Sequence, residues 1–331
     1  MRDVAALAGV SLKTVSRVVN GEPTVAADLV ERVRLAAAQL SYQPNLTASN
    51  LRRSDRKSFS IGLLVQDMAN PFSAAIFRAV EDVATSTGVS VLASSLDEDP
   101  VRERQLTADL IARRVDGLII VPAGHDHSYL QLEQRSGMAM VFIDRPPQLL
   151  AADTVLGDNH GGAATGVRYL LERGHRSIAY LGDLESIASA QERYAGYAEA
   201  LSAAGVAIGP QRVRRNVHSQ EQARLTCIEL LTAANPPTAL FTAQNLITVG
   251  AVRALRALGL ERSVALVGFD DFELADLLQP SVTVVAQNPT AMGKLGAELL
   301  LRRIGSAGIA PEQHVIPTRL IERESGLVRQ V

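Results

Sequence analysis

A group of side chains near the amino terminus is suited to binding a polyanion. The stretch AGVSLKTVSRVVNGEP, residues 8–23, places Ser11, Lys13, Thr14 and Arg17 among apolar residues at helical spacing. Hydroxyls, cations and the amides of a helix N-terminus attract phosphate, and side chains of such a helix can reach base edges in the major groove of DNA. A solvated amphipathic helix explains the same pattern, so these residues by themselves leave both interpretations open.

The sequence lacks the motifs by which many α/β enzymes are recognised. No glycine-rich dinucleotide loop, phosphate-binding loop or GxSxG nucleophile elbow follows a predicted strand. The single cysteine, Cys227, falls in a helical stretch without a catalytic partner at motif spacing, and the six histidines have no metal-ligand spacing. We therefore predict that the protein is not an enzyme, and we expect neither a cofactor nor a metal.

The candidate phosphate-binding residues need short helices to position them. The apolar stripes of three predicted helices consist of Val4, Ala5, Leu7 and Ala8, of Val15, Val18 and Val19, and of Leu29, Val33, Ala36, Ala37 and Leu40. A tight turn at Gly9 joins the first two helices as in a helix-turn-helix, and Ser11 can cap the second helix by accepting from the amide of Thr14. Pro44 ends the third helix. We predict a small all-α head over residues 1–44.

A polar segment separates this head from the rest of the chain. Residues 45–57, NLTASNLRRSDRK, contain too little apolar surface to fold alone and are predicted to be a linker that forms a hinge helix conditionally. Residues 1–60 carry nine Lys and Arg against five Asp and Glu, whereas the remainder carries 24 against 30. A basic head on an acidic body indicates that only the head meets a polyanion, although a difference this small also arises by chance.

From residue 58 onward, strands and helices alternate, which favours parallel sheets covered by helices. The predicted strands cover residues 60–65, 89–94, 117–121, 140–143, 177–181, 239–242 and 265–268, and helices between them include 73–87, 105–113, 162–173 and 248–258. About 270 residues hold too many such units for one small sheet. We therefore predict two α/β lobes, with a ligand cleft at the carboxyl ends of their strands.

Composition indicates a cytoplasmic protein. One cysteine excludes an internal disulfide and fits a reducing compartment. No apolar run approaches the roughly 20 residues of a membrane span. The amino terminus also lacks a signal-peptide pattern, so we expect no membrane partner.

The amino-terminal sequence resembles the DNA-binding head of the LacI family. The resemblance rests on DVAALAGVSLKTVSRVVNG, then YQPN and a leucine-bearing linker, and continues through SIGLLVQDMANPF, RRVDGLIIVP, FIDRP, GDNHGG, RGHRSIAYL, ERYAGY, PPTALF, LVGFDDFELADLLQPSVTVV and RLIERESG. It implies a ligand-controlled transcription regulator, in most cases a repressor, that binds a palindromic operator in double-stranded DNA as a homodimer. A plain sugar-binding protein would account for the core but not for the head and linker.

The resemblance also implies how the core, residues 58–331, is organised. It would contain two lobes like those of a periplasmic binding protein, with parallel sheets. The first, proximal lobe covers about 58–157 and 288–318, and the second, distal lobe covers about 158–287.

The same resemblance assigns the DNA contacts. The implied DNA-binding residues are Ser11, Leu12, Lys13, Thr14, Ser16, Arg17, Asn20, Asn45 and Leu51. Leu12, Lys13 and Arg17 would read bases, whereas Ser11, Thr14, Ser16 and Asn20 would hold phosphates or orient the helix. Leu51 falls where the family places a leucine wedge, which opens a base step in the minor groove when the linker becomes helical.

Residues of the cleft are implied in the same way. The implied ligand-binding residues are Asp67, Asn70, Phe72, Arg145, Asp158, Ser189, Arg193, His218, Asn245, Asp270 and Gln287. Carboxylates, amides and arginines around an aromatic ring suit a small polyhydroxylated effector, a sugar, that stacks on Phe72. Other interpretations remain for three of them: Asp270 can cap a helix, Asp158 can serve the crossing between lobes, and His218 can be solvated on a turn.

Three features depart from the family pattern. The chain begins two residues before Asp3, so its first helix has no threonine cap, and we predict that the true start codon lies upstream. Gln244 and Asn245 replace the Asn–Asp pair common in the family, which removes a carboxylate used for hexoses and pentoses. No leucine-heptad tail follows RLIERESG, so we expect a dimer and not a tetramer.

Overall fold

The computed structural model describes residues 1–19, 22, 24–42, 58–306 and 309–329, and the chain divides into two compact units, Met1–Phe59 and Ser60–Val331. The predicted hinge helix lies outside the described residues, as do three of the predicted DNA-binding residues, Asn20, Asn45 and Leu51. Within the described ranges, no helix is both long enough and apolar enough to cross a membrane.

The described part of the first unit is helical, as predicted. Its helices are α1 (Arg2–Ala8), α2 (Leu12–Val19) and α3 (Ala27–Gln39). They enclose a small apolar core that consists of Val4, Ala5, Ala8, Val15, Val33 and Ala36. The prediction was wrong for Leu7, which is 52% exposed because 3.6 residues per turn carry it away from the face that Val4 and Ala8 share. It was also wrong for Leu40, which follows the last residue of α3 and is 43% exposed.

The second unit alternates strands and helices. Its strands are β1 (Ser60–Val65), β2 (Ser90–Ser95), β3 (Gly117–Ile120), β4 (Ala139–Ile143), β5 (Asp153–Gly157), β6 (Ile178–Leu181), β7 (Val213–Arg214), β8 (Ala239–Thr242), β9 (Ala265–Phe269), β10 (Thr283–Ala286), β11 (Gln313–Ile316) and β12 (Arg319–Ile321). Its helices are α4 (Pro71–Ser86), α5 (Pro100–Ala112), α6 (Gln131–Arg135), α7 (Asn159–Glu172), α8 (Ala188–Ala203), α9 (Gln220–Thr232), α10 (Asn245–Leu258) and α11 (Pro289–Arg303).

These strands form two six-stranded sheets. The first sheet has the order β11-β5-β4-β3-β1-β2, and the second has the order β12-β10-β9-β8-β6-β7. In both sheets the described strands pair in parallel, except that β12 runs antiparallel to β10. We call the lobe built on the first sheet the first lobe and the lobe built on the second sheet the second lobe.

The chain passes between the lobes three times. It crosses after β5, returns after β10, and crosses again between β11 and β12. The strand β12 therefore belongs to the second lobe, although the sequence interpretation assigned residues beyond 318 to neither lobe.

Helices cover both faces of each sheet, so the central strands are buried throughout. Every residue of β3, β4, β8 and β9 is buried, which explains why their sequences are apolar except for Thr242 at the end of β8. The helices pack in pairs, and α7 and α8 approach so closely that a side chain at Gly196 would overlap the backbone carbonyl of His160. These rigid layers fix the positions of the loops that follow the strands.

Candidate functional site

The N-terminus of α2 presents an exposed polar face on the first unit. The predicted cap is confirmed, because the Ser11 hydroxyl accepts from the amide of Thr14 at 3.1 Å. Lys13 is exposed, and Leu12 is 48% exposed although it is apolar. Arg17 is also exposed, at 3.4 Å from the carboxylate of Glu22. Free helix amides, a hydroxyl and two cations on one surface can bind a phosphodiester backbone.

The remaining predicted residues of this helix are less accessible. Thr14 and Ser16 are half-buried on the flank of α2, and the hydroxyl of Thr14 lies 2.9 Å from that of Ser11. Both positions are consistent with a role in orienting the helix.

The turn between α1 and α2 is held from α3. Gly9 ends α1 in the left-handed conformation, with φ of 63°, which disfavours a side chain. Arg32 donates from Nη2 to the carbonyl oxygens of Ala8 at 2.6 Å and Gly9 at 3.3 Å. Sequence reasoning missed Arg32, because nothing in its local pattern distinguishes it from other exposed arginines of α3.

The second unit contains a cavity between its two lobes. In this arrangement of the lobes, the space that the centre of a water molecule can occupy is only about 30 Å³, and about 370 Å³ is reached only when all space between the lining atoms and the open mouth is counted. Its lining consists of Gln66, Asn70, Phe72, Asp144, Arg145, Asp183, Ile187, Ser189, Ala190, Arg193, Gln244 and Asp270. Several of these residues directly follow β1, β4, β8 and β9, so the cavity lies at the carboxyl ends of both sheets, as ligand sites of parallel α/β folds do.

Six of the predicted ligand-binding residues line this cavity: Asn70, Phe72, Arg145, Ser189, Arg193 and Asp270. The other five lie outside the lining: Asp67, Asp158, His218, Asn245 and Gln287. Three of these five bond directly to lining residues, as described below, and two are engaged with backbone.

Asp67 and Asp158 cap the chain locally. Asp67 accepts from the amide of Ala69 at 2.8 Å. Asp158 caps α7 by accepting from the amide of Gly161 at 2.9 Å. The structure thus supports the alternative interpretation of Asp158 as a residue of the crossing between lobes.

Arg193 organises the second-lobe wall. It donates to Asn159 at 2.8 Å and to the carbonyl oxygen of Ala243 at 2.7 Å, and it lies 3.2 Å from the carboxylate of Asp270. Its guanidinium also stacks 4.0 Å above the ring of Phe269. These contacts hold the arginine in one orientation, and they offset the cost of burying its charge.

Asp270 receives a second hydrogen bond. Gln287, at the return crossing, donates from Nε2 to Asp270 at 2.9 Å. Asp270 itself adopts φ of 68°, so its backbone turns sharply just after β9. Gln287 therefore orients a lining carboxylate and does not reach the cavity itself.

On the opposite wall, Asp144 and Arg145 follow β4. Arg145 pairs with Glu98 through two contacts of 2.6 Å each, and this carboxylate raises the pKa of the Arg145 guanidinium although burial opposes the charge. Burial raises the pKa of the Asp144 carboxyl. Within the described chain, Oδ1 of Asp144 has no hydrogen-bond partner. A ligand that donates a hydrogen bond can supply one.

One hydrogen bond joins the lobes beside the cavity. Nδ2 of Asn245, at the start of α10, donates to Oδ1 of Asn70 at 2.9 Å, and both side chains are buried. Asn70 also caps α4 by accepting from the amide of Phe72 at 3.0 Å. Asn245, which the sequence placed in the ligand site, thus contacts the other lobe.

His218 lies at the rim of the cavity. Its Nδ1 is 2.6 Å from Oδ1 of the lining residue Asp183, and 38% of its side chain is exposed. The hydrogen bond to Asp183 raises the pKa of the His218 imidazole. His218 is therefore neither the freely solvated residue nor the cavity-wall residue that the sequence allowed.

Sequence reasoning missed half of the lining, including Asp144, Asp183 and Gln244. Each of these three stands one or two residues after a predicted strand, and this position was the available signal. Within the described ranges, no group of three or more His, Cys, Asp or Glu could hold a metal ion.

Comparison with known proteins matches each unit to a protein family. Residues 1–45 match the family described as bacterial regulatory proteins, lacI family, and residues 167–326 match the periplasmic binding protein-like domain. The ribose operon repressor of Haemophilus influenzae is 32% identical over 328 residues, which are 98% of each chain.

Two of the similar solved structures each match over 98% of this chain and 98% of their own chain. A complex of the transcriptional regulator CelR with cellobiose is 32% identical, with a TM-score of 0.73. The lac repressor dimer bound to operator and the anti-inducer ONPF is 28% identical, with a TM-score of 0.86. The chain belongs to the LacI family, and it is a DNA-binding transcription regulator with an effector-binding core and not an enzyme.

Proposed function

We propose that this chain is a repressor that binds a palindromic operator as a homodimer, and that a sugar bound between its lobes alters its affinity for DNA. The observation that carries the proposal is the cavity itself, because both lobes contribute charged and amide side chains to its wall. A ligand that contacts both lobes binds one arrangement of them more tightly than another.

The exposed face of α2 supports the DNA-binding part of the proposal. Leu12, Lys13 and Arg17 would reach base edges, whereas Ser11 and the helix amides would hold phosphates. Residues 45–57 would form the hinge helix, with Leu51 inserted in the minor groove.

The chemistry of the cavity supports a hydroxyl-rich effector. Sugar hydroxyls donate to carboxylates such as Asp144 and Asp270 and accept from amide groups, and Phe72 offers a ring for stacking. The names of two relatives include ribose and cellobiose, which agrees with this class. A tenfold preference of the effector for one lobe arrangement would shift the DNA-binding equilibrium by about 1.4 kcal/mol.

Fluorescence anisotropy tests the proposal. The full chain is titrated onto its own upstream DNA and onto scrambled DNA at physiological salt, and D-ribose and cellobiose are then added to the complex. We expect upstream DNA to bind about a thousandfold more tightly, sedimentation to show a dimer, and a sugar to change the midpoint. Equal weak binding to both DNAs that persists after upstream codons are added would contradict the proposal.

A further inference from the structure

The terminal nitrogens of Arg145 are already occupied in the cavity wall. Nη1 donates to Oε2 of Glu98 and Nη2 donates to Oε1, both at 2.6 Å, and Nη1 also donates to the carbonyl oxygen of Pro122 at 3.0 Å. The side chains of Arg145 and Glu98 are only 8% and 7% exposed. This bidentate pair leaves no fork of terminal nitrogens for a ligand anion, and the third nitrogen, Nε, which is buried and has no hydrogen-bond partner, lies 3.4 Å from the carboxylate of Asp144.

The loop between β2 and α5 holds Glu98 in this position. Asp97 and Glu98 both adopt positive φ, 54° and 55°. Arg102 fastens the loop, since it donates to the carbonyl oxygen of Ser95 at 2.8 Å and lies 3.1 Å from the Asp97 carboxylate. Asp99 then caps α5 through the amide of Val101 at 2.8 Å. The backbone of this loop, held by Arg102 and by the Asp99 cap, therefore fixes the position of Glu98.

The rest of the wall offers acceptors. Arg193 is paired with Asp270, and the lining also includes the carboxylates of Asp144 and Asp183. Oδ1 of Asp144 and Oε1 of Gln244 are buried and have no hydrogen-bond partner in the described chain. Such atoms are stabilised by ligand hydroxyls, which donate, and not by ligand carboxylates or phosphates.

We propose that Glu98 determines effector specificity: by occupying both terminal nitrogens of Arg145 and neutralising its charge, it makes the cavity select uncharged, hydroxyl-rich effectors against their carboxylate or phosphate counterparts. An anionic effector would have to displace Glu98 and leave that carboxylate buried and unpaired. The inference rests on the proposed function and adds the charge of the effector to it. Glu98 acts through Arg145, so it is a positioning residue.

Matched pairs of ligands test this inference by isothermal titration calorimetry on the full chain. The pairs are D-glucose with D-glucuronate, D-ribose with D-ribose 5-phosphate, and cellobiose with cellobionate. In the wild type, we expect the acidic member of a pair to bind at least tenfold more weakly. In Glu98→Gln, which removes the negative charge and one of the two acceptors that hold Arg145, we expect this ratio to fall by tenfold or more.

The variant Glu81→Gln provides the control. It makes the same substitution elsewhere in the first lobe, on α4, but Glu81 pairs with the exposed Arg78 and not with Arg145. We expect it to keep the wild-type ratio. This readout separates specificity from folding, because a merely structural role for Glu98 would weaken both members of each pair alike.

Three results would overturn the inference. The first is that an acidic ligand binds the wild type as tightly as its neutral partner does. This result needs no variant, so it counts against the inference even if Glu98→Gln fails to fold. An unchanged ratio in Glu98→Gln also overturns it. The third is that no ligand of the three pairs binds either protein, because the inference rests on a hydroxyl-rich effector. Specific binding to upstream DNA in that case would show that the regulatory function still holds.

Discussion

The hydrogen bond between Asn245 and Asn70 offers a direct measure of how firmly the two lobes hold each other. It spans 2.9 Å between buried side chains, and such a bond contributes about 0.5–1.5 kcal/mol. Asn70 also caps α4 through the amide of Phe72, which is worth about 1 kcal/mol. We therefore expect Asn70→Ala to lower the free energy of unfolding by about 2 kcal/mol.

The partner variant removes the same bond from the other side. Asn245→Ala also removes a hydrogen bond from the amide of Leu246, at 2.7 Å, to Oδ1 of Asn245. The two substitutions share only the bond between lobes. The double variant should therefore be more stable than the sum of the single effects predicts, by about 1 kcal/mol.

Urea unfolding of the wild type, the two single variants and the double variant gives this coupling energy. Far-ultraviolet circular dichroism is the suitable probe, because the chain contains no tryptophan. Asn288→Ala is the control, since Asn288 likewise caps a helix, α11, but its bond goes to the amide of Ala291 and not to Asn245. Its effect should add to that of Asn245→Ala. A coupling between Asn70 and Asn245 below about 0.3 kcal/mol would refute the reasoning.

Three further perturbations test the head and the cavity. Gly9→Ala should weaken operator binding in anisotropy titrations, because a side chain at φ of 63° costs about 1–2 kcal/mol. The control is Gly88→Ala, at φ of 74° in the second unit, which should leave operator binding unchanged. Equal effects of the two substitutions on operator binding would contradict this prediction. Arg17→Ala should reduce the preference for upstream over scrambled DNA by about 1–3 kcal/mol. The control Arg34→Ala, at another exposed arginine, should preserve this preference. An unchanged preference in Arg17→Ala would exclude a base contact by Arg17. Burial raises the pKa of the Asp144 carboxyl, so the wild type loses stability as pH rises from the ordinary value of 3.8 through the raised pKa. Asp144→Asn should therefore gain stability over the wild type at alkaline pH and not below pH 3.8, and a gain in urea midpoint that is equal at all pH values would argue against this.

Much of the fold follows from local sequence. The cap of α2 is predictable because Ser11 and Thr14 are three residues apart on one helix turn. The central strands are predictable because burial on both faces makes them uniformly apolar. The predicted strands did not include β5, β7, β10, β11 or β12; β7 and β12 have only two and three residues, and β5 begins with a charged residue. Such segments become strands because neighbouring strands and helices cover them.

The sequence by itself thus determined the family, the order of elements and the polar residues available at the strand ends. Only the tertiary structure decided which of those residues meet. Arg145 and Glu98 are 47 positions apart, and Asn70 and Asn245 are 175 apart. No periodicity links such positions, because their contact depends on how parallel strands bring their carboxyl-end loops together and on the backbone turn of each loop. Whether the positive charge of Arg145 is available to an effector is therefore decided by the folded structure and not by the local sequence.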